Sequence, residues 1–504
     1  MKRLVHRGVL IPAAYEPKGF EILVKGKKLA LTGKQEEIAV AWVKKLETEY
    51  VQDPVFVKNF FKDLCNALDL KEDLDAEDFD FSEIVKSVSD EKNSKLNMSK
   101  EEKKRLAAER KVAREANKEK YGFAEVDSVK VELGNYMVEP PCIFMGRGKH
   151  PLRGRWKEGA TQSDVVLNLS PDAPMPPGNW KGRVWQPTSM WVARWNDKLR
   201  ETDKYVWLSD SSTVKQEREI DKFDKAVELE KSIGKLRSHI ELNLKSEDPK
   251  RRKIATVCYL IDLLKFRVGD EKDKDEADTV GATTLRSEHI KIKPNGSTTF
   301  DFLGKDSVRF YKEVTLPEPV VKNIMEFKKT AKLSLFEGVR SDNVAEFLDE
   351  VLPGLTAKLF RTYHASKVIK DYLKNARVSK NDPEYLKKHV ATMANLEAAI
   401  VCNHKRKLPK KWHESLANKM ERLKKLRTMK TKKSKERVKE LKIKIDIVKA
   451  TRDYNLGTSL KSYVDPRVYC EWFRKVDFDY SRFYSKTLQR KFSWVSWNSE
   501  SRSG

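Results

Sequence analysis

The sequence predicts a multidomain α+β protein. Three observations carry that reading. The chain has 504 residues, more than one core serves. Short β-like runs alternate with helical stretches over the first hundred residues. From about residue 213 apolar residues recur at three and four spacing, interrupted by one β-hairpin. Four parts follow: an α/β region at 1–212, a mainly helical region at 213–407, a helical hairpin at 408–452 and a small helical end-piece at 453–504.

In the first part, "FEILVKGKKLAL" reads as short strands, Glu36 to Tyr50 as a helix, and "VFVKNFFKDL" as an aromatic packing segment. Ser99 and Glu102 form a capping box ahead of a strongly charged helix, 100–120, that ends at "YGF". In "EPPCIFMGRGKHP", residues 139–151, proline and glycine suppress regular structure. Such a loop is ordinarily a surface turn. Arg147 and Lys149 beside flexible glycines also suit it to phosphates.

Further on, "RKIATVCYLIDLLKFRVG" has the apolar spacing of a buried helix. "STTFDFLGKDSVRFYKEV" alternates Phe300 and Phe302, then Val308 and Phe310, around Leu303 to Asp306. That hairpin places Lys305 at the tip of a stiff turn, where a lysine is usually only solvated but is also well placed to probe a groove. Leu416, Met420, Leu423, Val438, Leu441, Ile445 and Val448 mark two antiparallel helices that break at "MKTKKSKE". Between Lys419 and Lys444 stand thirteen Lys/Arg against three acids, a run suited to DNA phosphates.

The bulk numbers agree with a polyanionic partner. Lys and Arg total 102 against 76 Asp and Glu, a net charge of +26, which favours nucleic acid over membrane. Hydrophobic residues at 39%, with 11 tryptophans, suffice for real cores. No apolar run approaches the ~20 residues of a membrane helix, and "MKRLVHRGVLIPAAYEP" lacks a signal-type apolar segment. A soluble, intracellular protein is expected. Cys65, Cys142, Cys258, Cys402 and Cys470 are far apart and never in C-x-x-C spacing, so they read as reduced and mostly buried, with neither zinc nor disulfide implied. Charged residues at 35% with six glutamines resemble the composition of heat-adapted proteins.

"SLKSYVDPR", residues 459–467, carries the chemical question. A tyrosine before a turn is ordinarily a packing residue. If Tyr463 instead attacks a phosphodiester, its phenol, with a reference pKa of about 10, must lose its proton during attack. The pentavalent transition state then needs fixed donors for its oxygens: arginine forks, a histidine, and a lysine near the leaving oxygen.

Five blocks supply them. "KFRVGDEKDKDEADTVGATTLRSEHI" (265–290), "FDFLGKDSVRFY" (300–311), "GLTAKLFRTYHAS" (354–366), "AIVCNHKRKLPK" (399–410) and "GTSLKSYVDPR" (457–467) resemble, in order, the motifs of eukaryotic-type DNA topoisomerase IB. "VKNFFKDL", "MSKEEK", "YGF" and "FMGRGKHP" extend the resemblance over nearly the whole chain. It implies that Arg267, Lys305, Arg361, His404 and Tyr463 are the catalytic residues. Each also has a plainer reading: Arg267 as a helix cap, Lys305 as a solvated tip, Arg361 as an ion-pair residue, His404 as a core histidine. The implied reaction joins Tyr463 to the 3' end of one strand and releases a 5' hydroxyl. Arg267, Arg361 and His404 would hold the non-bridging oxygens, while Lys305 would protonate the leaving oxygen. The strand turns and the hydroxyl reseals it. The covalent link keeps the bond energy and arginines supply the positive charge, so neither ATP nor metal is implied. No G-x-x-x-x-G-K-[ST] loop occurs in the sequence.

The resemblance further implies a DNA clamp: an α/β cap at 1–212, a catalytic region at 213–407, the basic hairpin as linker, and a C-terminal domain bearing the nucleophile. Supercoiled double-stranded DNA is the expected partner of a monomer, with Arg147, Lys149, Lys272, Asp306 and Ser462 facing it. Asp306 and Ser462 would also flank the family's drug pocket. Two departures stand out. Ser462 replaces the family's usual asparagine, which is expected to weaken camptothecin-type inhibitors. The long basic N-terminal region of the nuclear enzymes is missing, so a trimmed nuclear enzyme or a naturally short one is expected, and composition favours an archaeal or other microbial source. The rivals are a tyrosine recombinase, which typically carries H-x-x-R where this chain has "KLFR" (358–361), and a non-catalytic architectural DNA-binding protein.

Overall fold

The computed structural model describes residues 1–72, 74–269, 278–429 and 431–496. Two compact units result, one from Met1–Lys215 and the other, among the described residues, from Gln216 onward. No helix of the described residues is long and apolar enough to cross a membrane.

The first unit holds two cores. Strand Glu21–Val24 lies between Lys27–Ala30 and Phe79–Asp80, antiparallel to both. Beside this sheet, helices Gly33–Val43 and Pro54–Ala67 bury Ile38, Trp42, Phe56, Phe60 and Phe61, with Trp42 stacked on Phe60 at 4.5 Å between ring centroids. Asp53 caps the second helix and Pro54 occupies its first turn, so the aromatic segment is a core helix. The helix expected over Glu36–Tyr50 is shorter and earlier. A Thr32/Gln35 capping box starts it, and it stops after Val43, where the buried face ends and Leu46 stands 40% exposed.

The other core of this unit lies on a four-stranded sheet, Gly182–Val184, Val166–Asn168, Trp191–Asp197 and Thr202–Trp207, in which the first pair is parallel. Val165, Leu167, Trp195 and Val206 pack there with Leu4 and Ala124 from the sheet of Leu4–His6, Phe123–Val126 and Val129–Glu132. Helix Lys100–Tyr121 begins at the Ser99/Glu102 capping box, and none of its residues is buried. Residues 139–151 are mostly irregular, with one short strand, Cys142–Ile143, paired to Trp156–Lys157. Gly146 and Gly148 hold φ of +58° and +61°, which explains the glycines and turns out the exposed Arg147 and Lys149.

In the second unit the antiparallel sheet Ile290–Ile292, Ser297–Gly304 and Val308–Thr315 packs against helices. Thr213–Asn243, Pro249–Leu264, Glu318–Thr330, Ser341–Asp349 and the start of Ala357–Asn375 contribute Leu229, Leu260, Ile324, Phe347 and Phe360 to a core shared with Phe266 and Phe300. A second core joins Phe223, Ile369, Leu373, Ala391 and Ala394 to Tyr463, Tyr469, Trp472, Phe473 and Phe492. The end-piece therefore has its apolar residues in a core built with helices Ala357–Asn375 and Glu384–Val401.

The basic segment folds as helices Trp412–Thr428 and Lys432–Ala450. Its thin seam is Leu416, Leu423, Leu426, Val438, Leu441 and Ile445; Met420, expected there, is 44% exposed. Its two feet meet: Arg406 N–H donates to Asp453 O at 2.9 Å, and Lys405 forms a β-bridge with Tyr454. The five cysteines are free, and all but Cys142 are buried.

Candidate active site

Arg267 sits just past a helix that ends abruptly. Lys265 takes a left-handed φ of +58° and its N–H still bonds Ile261 O at 2.9 Å. The turn drives Phe266 into the core, edge-on to Phe300, Phe302 and Phe310 at 5.7, 5.2 and 4.7 Å. Arg267 thus follows the anchor that also fixes the hairpin. Its carbonyl accepts from Ala282 N–H at 2.9 Å, and Val268 O accepts from Thr283 N–H at 2.8 Å. This ladder is tight: a Cβ on Gly281 would lie 2.4 Å from Gly269 Cα. Lys272, expected to face DNA, lies outside the described residues.

Arg361 is buried in the second turn of helix Ala357–Asn375. Its Nη1 donates to Lys265 O at 2.6 Å and its Nη2 to Cys402 O at 2.8 Å. The same Nη2 stands 3.2 Å from His404 Nε2, and Nε is buried without a hydrogen-bond partner. His404 follows the end of helix Glu384–Val401, where left-handed Asn403 (φ +52°) turns the chain, and its N–H bonds Ala399 O at 2.8 Å. Its Nδ1 is 2.8 Å from Ser459 Oγ. A guanidinium only donates, so Nε2 accepts from Arg361 and Nδ1 carries the proton that Ser459 accepts. Burial, and then the Arg361 and Arg267 cations, push the His404 pKa down to about 3, so the imidazole is neutral.

The short motif now has its explanation. Helix Leu456–Ser462 ends at Tyr463, and helix Pro466–Val476 starts from the Asp465 cap, which accepts from Arg467 N–H at 2.9 Å. Aspartate caps and proline opens the next helix, leaving the tyrosine at the joint. Tyr463 is only 3% exposed. Its ring centroid is 5.3 Å from that of His404 and 4.9 Å from the Arg361 guanidinium carbon. Burial lowers the Arg267 pKa, and a hydrogen bond with the Tyr463 side chain opposes that effect.

Lys305 and Asp306 reach the site from the hairpin tip, beyond the last strand pair Gly304↔Val308. Asp306 and Ser307 are both left-handed, at φ +66° and +56°. With Arg267, Arg361 and His404, Lys305 and Asp306 bound a pocket of about 170 Å³. Arg267, Arg361, His404 and Tyr463 thus form one cluster, and Lys305 lines the same pocket. Ser462 is half-buried, and its carbonyl accepts from Lys222 Nζ at 3.3 Å. Burial pushes that lysine down to about 8, against the pull of Glu219 at 2.8 Å. Ser366 Oγ donates to Tyr463 O at 3.4 Å and accepts from Asp465 N–H at 3.0 Å. Sequence reasoning misses Ser459, Lys222 and Ser366. Ser459 lies inside the quoted motif, but Lys222 meets Ser462 across 240 residues and leaves no local signal.

Comparison with known families covers the chain almost from end to end. The model described as "Eukaryotic DNA topoisomerase I, DNA binding fragment" matches residues 1–208 and "Eukaryotic DNA topoisomerase I, catalytic core" matches 211–440. A "C-terminal topoisomerase domain" matches 435–501. DNA topoisomerase 1 beta of Arabidopsis thaliana is 35% identical over 98% of this chain and 58% of its own length. DNA topoisomerase 1 of Drosophila melanogaster is 35% identical over 98% and 54%, and that of Homo sapiens 33% over 98% and 70%. The chain therefore spans little more than half of the plant and insect relatives it matches. An archaeal or other microbial origin, expected from composition, is not supported: the matching models are those of eukaryotic enzymes. By the three models and these identities, the chain belongs to the eukaryotic DNA topoisomerase I family.

Proposed function

We propose that this chain relaxes supercoiled double-stranded DNA of either sign by cutting and resealing one strand through Tyr463. The observation that carries the reading is the convergence of Arg267, Arg361 and His404 on Tyr463, the same three residues lining a pocket together with Lys305. A phosphodiester seated there exchanges the sugar 5' oxygen for the phenol oxygen, leaving a 3'-phosphotyrosine. The phenol proton is lost as the bond to phosphorus forms. Arg267 and Arg361 neutralise the growing charge on the non-bridging oxygens, and His404 donates to one of them once its ring proton is on Nε2. Lys305, on its exposed tip, protonates the departing oxygen. Resealing runs the same steps backwards.

In this reading residues 1–212 form a cap, 213–407 the catalytic region, 408–452 a linker and 453–504 the nucleophile-bearing domain of a monomeric clamp. Arg147, Lys149, Asp306 and Ser462 face the duplex, and the relatives point to a nuclear, DNA-associated protein. A net charge of +26 supports binding mainly through phosphates, with steep salt dependence.

The test is relaxation of a plasmid lacking any special site, in EDTA and without ATP, with the trapped adduct mapped to its tyrosine. Wild type is expected to relax it and Tyr463→Phe to bind DNA without relaxing it. Relaxation by Tyr463→Phe would overturn the reading, and dependence on one defined site would favour a recombinase.

A further inference from the structure

We propose that Ser459 is a positioning residue that holds the His404 imidazole and lets its Nε2 pass from Arg361 to the scissile phosphate. The inference rests on the function proposed above and adds a residue to it. Ser459 is fully buried and belongs to two partners at once. Its hydroxyl meets His404 Nδ1 at 2.8 Å, while its carbonyl accepts the N–H groups of Tyr463 at 2.9 Å and Val464 at 3.1 Å. One residue therefore ties the nucleophile's backbone to the histidine ring.

The hydrogen-bond directions make the hydroxyl more than a spacer. In the free site Arg361 Nη2 donates to Nε2, so the ring proton is on Nδ1 and the hydroxyl accepts it. A neutral ring in that form cannot donate to phosphate oxygen from Nε2. When a phosphate oxygen takes the Arg361 Nη2 proton that faces the ring, with the fork still held by Lys265 O and Cys402 O, Nε2 is left without its donor. The ring then releases the Nδ1 proton to solvent and takes one from solvent at Nε2, with no net change in charge. The Ser459 hydroxyl rotates and donates to the bare Nδ1. A serine hydroxyl serves both forms because it is donor and acceptor; an alanine serves neither. The charged groups facing the ring, Arg361 and Arg267, are both cations and favour this neutral exchange over an imidazolium.

Two measurements decide it. The first is the single-turnover rate of Tyr463 adduct formation on a duplex oligonucleotide for wild type, Ser459→Ala, Ser459→Thr, His404→Ala and the Ser459→Ala/His404→Ala pair. Ser459→Ala is expected to cleave about 10- to 100-fold more slowly, the cost seen when a metal-bound histidine loses the partner that orients it, with DNA affinity unchanged. Ser459→Thr restores the rate, and Ser459→Ala costs nothing further once His404 is alanine. Equal cleavage by Ser459→Ala and wild type, or additive losses in the pair, overturns the proposal. The second is imidazole nitrogen NMR of the free protein, with the His404 signal assigned by its loss in His404→Gln. The Nδ1–H form is expected in wild type and a mixture in Ser459→Ala; an Nε2–H form in wild type overturns the proposal. If wild type forms no adduct at all, the proposed function fails, and the nitrogen spectra still decide the Ser459–His404 pairing.

Discussion

Arg361 faces Tyr463 with its guanidinium carbon 4.9 Å from the ring centre while its Nη2 rests 3.2 Å from His404 Nε2. The arginine is fixed in place by backbone: Lys265 O and Cys402 O each take one arm of its fork. Three separate stretches of chain therefore agree on its position before any phosphate arrives, which is the condition for electrostatic stabilisation without reorganisation.

Arg361→Lys tests that geometry. A lysine keeps the charge but has one ammonium where the fork has two arms, so it cannot bridge both carbonyls. Adduct formation is expected to fall by about 100-fold or more with DNA affinity little changed. Single-turnover cleavage beside a filter-binding titration measures both.

Gly281→Ala tests the ladder behind Arg267. The new methyl would stand 2.4 Å from Gly269 Cα, a backbone atom, so one of the two hydrogen-bonded stretches must move. A shift near 1 Å in the Arg267 backbone is expected to lower cleavage by about 100-fold. Gly338→Ala is the comparison for a left-handed glycine whose added Cβ meets nothing within 4 Å. It is expected to lose a little stability and no cleavage.

Replacing residues 408–451 by a short Gly/Ser turn tests the hairpin. Its feet are already joined by the Arg406–Asp453 hydrogen bond and the Lys405–Tyr454 bridge, so the cluster around His404 should persist. Cleavage of short duplexes is expected to survive. The slope of log affinity against log salt is expected to flatten by about 0.9 for every phosphate that the hairpin would have neutralised, read from titrations at several salt concentrations.

Acid should weaken the fold. Burial holds His6 down to about 4, and burial with two arginines holds His404 down to about 3, both from an ordinary 6.5. Below pH 6.5 the unfolded chain binds protons that the folded chain refuses, so stability falls as pH falls and the loss saturates near those lowered values. By pH 5 each histidine costs about 2 kcal/mol. Asp262, held to about 2 against burial by His364 and Arg237, adds a further loss below pH 3.8. Urea midpoints at pH 7.5 and 5 measure the effect, and His6→Gln should reduce it in the first unit.

Much of this architecture can be read from residue patterns, because the patterns are local. The Ser99/Glu102 box and the Phe300/Phe302 alternation each sit within a few residues of what they specify, whereas the turn expected after Tyr463 is the Asp465-capped start of a helix. The helix expected over 36–50 ends early because its end depends on where the buried face runs out against partners, which spacing alone does not reveal. In the site, the side chains expected to act are legible through motifs. Their supports are not: Lys265 O is chosen by a left-handed turn, and Lys222 and Ser366 by tertiary packing.

The shared core of the end-piece has a consequence for how the protein comes into being. Tyr463, Trp472, Phe473 and Phe492 pack with Ile369, Leu373 and Ala391, so the tyrosine is seated only after the last of these residues has left the ribosome. A nascent chain halted before residue 463 would carry both arginines, the lysine and the histidine, and nothing with which to break a strand. On the proposed function, premature stops should thus yield inert products, the nucleophile being seated last.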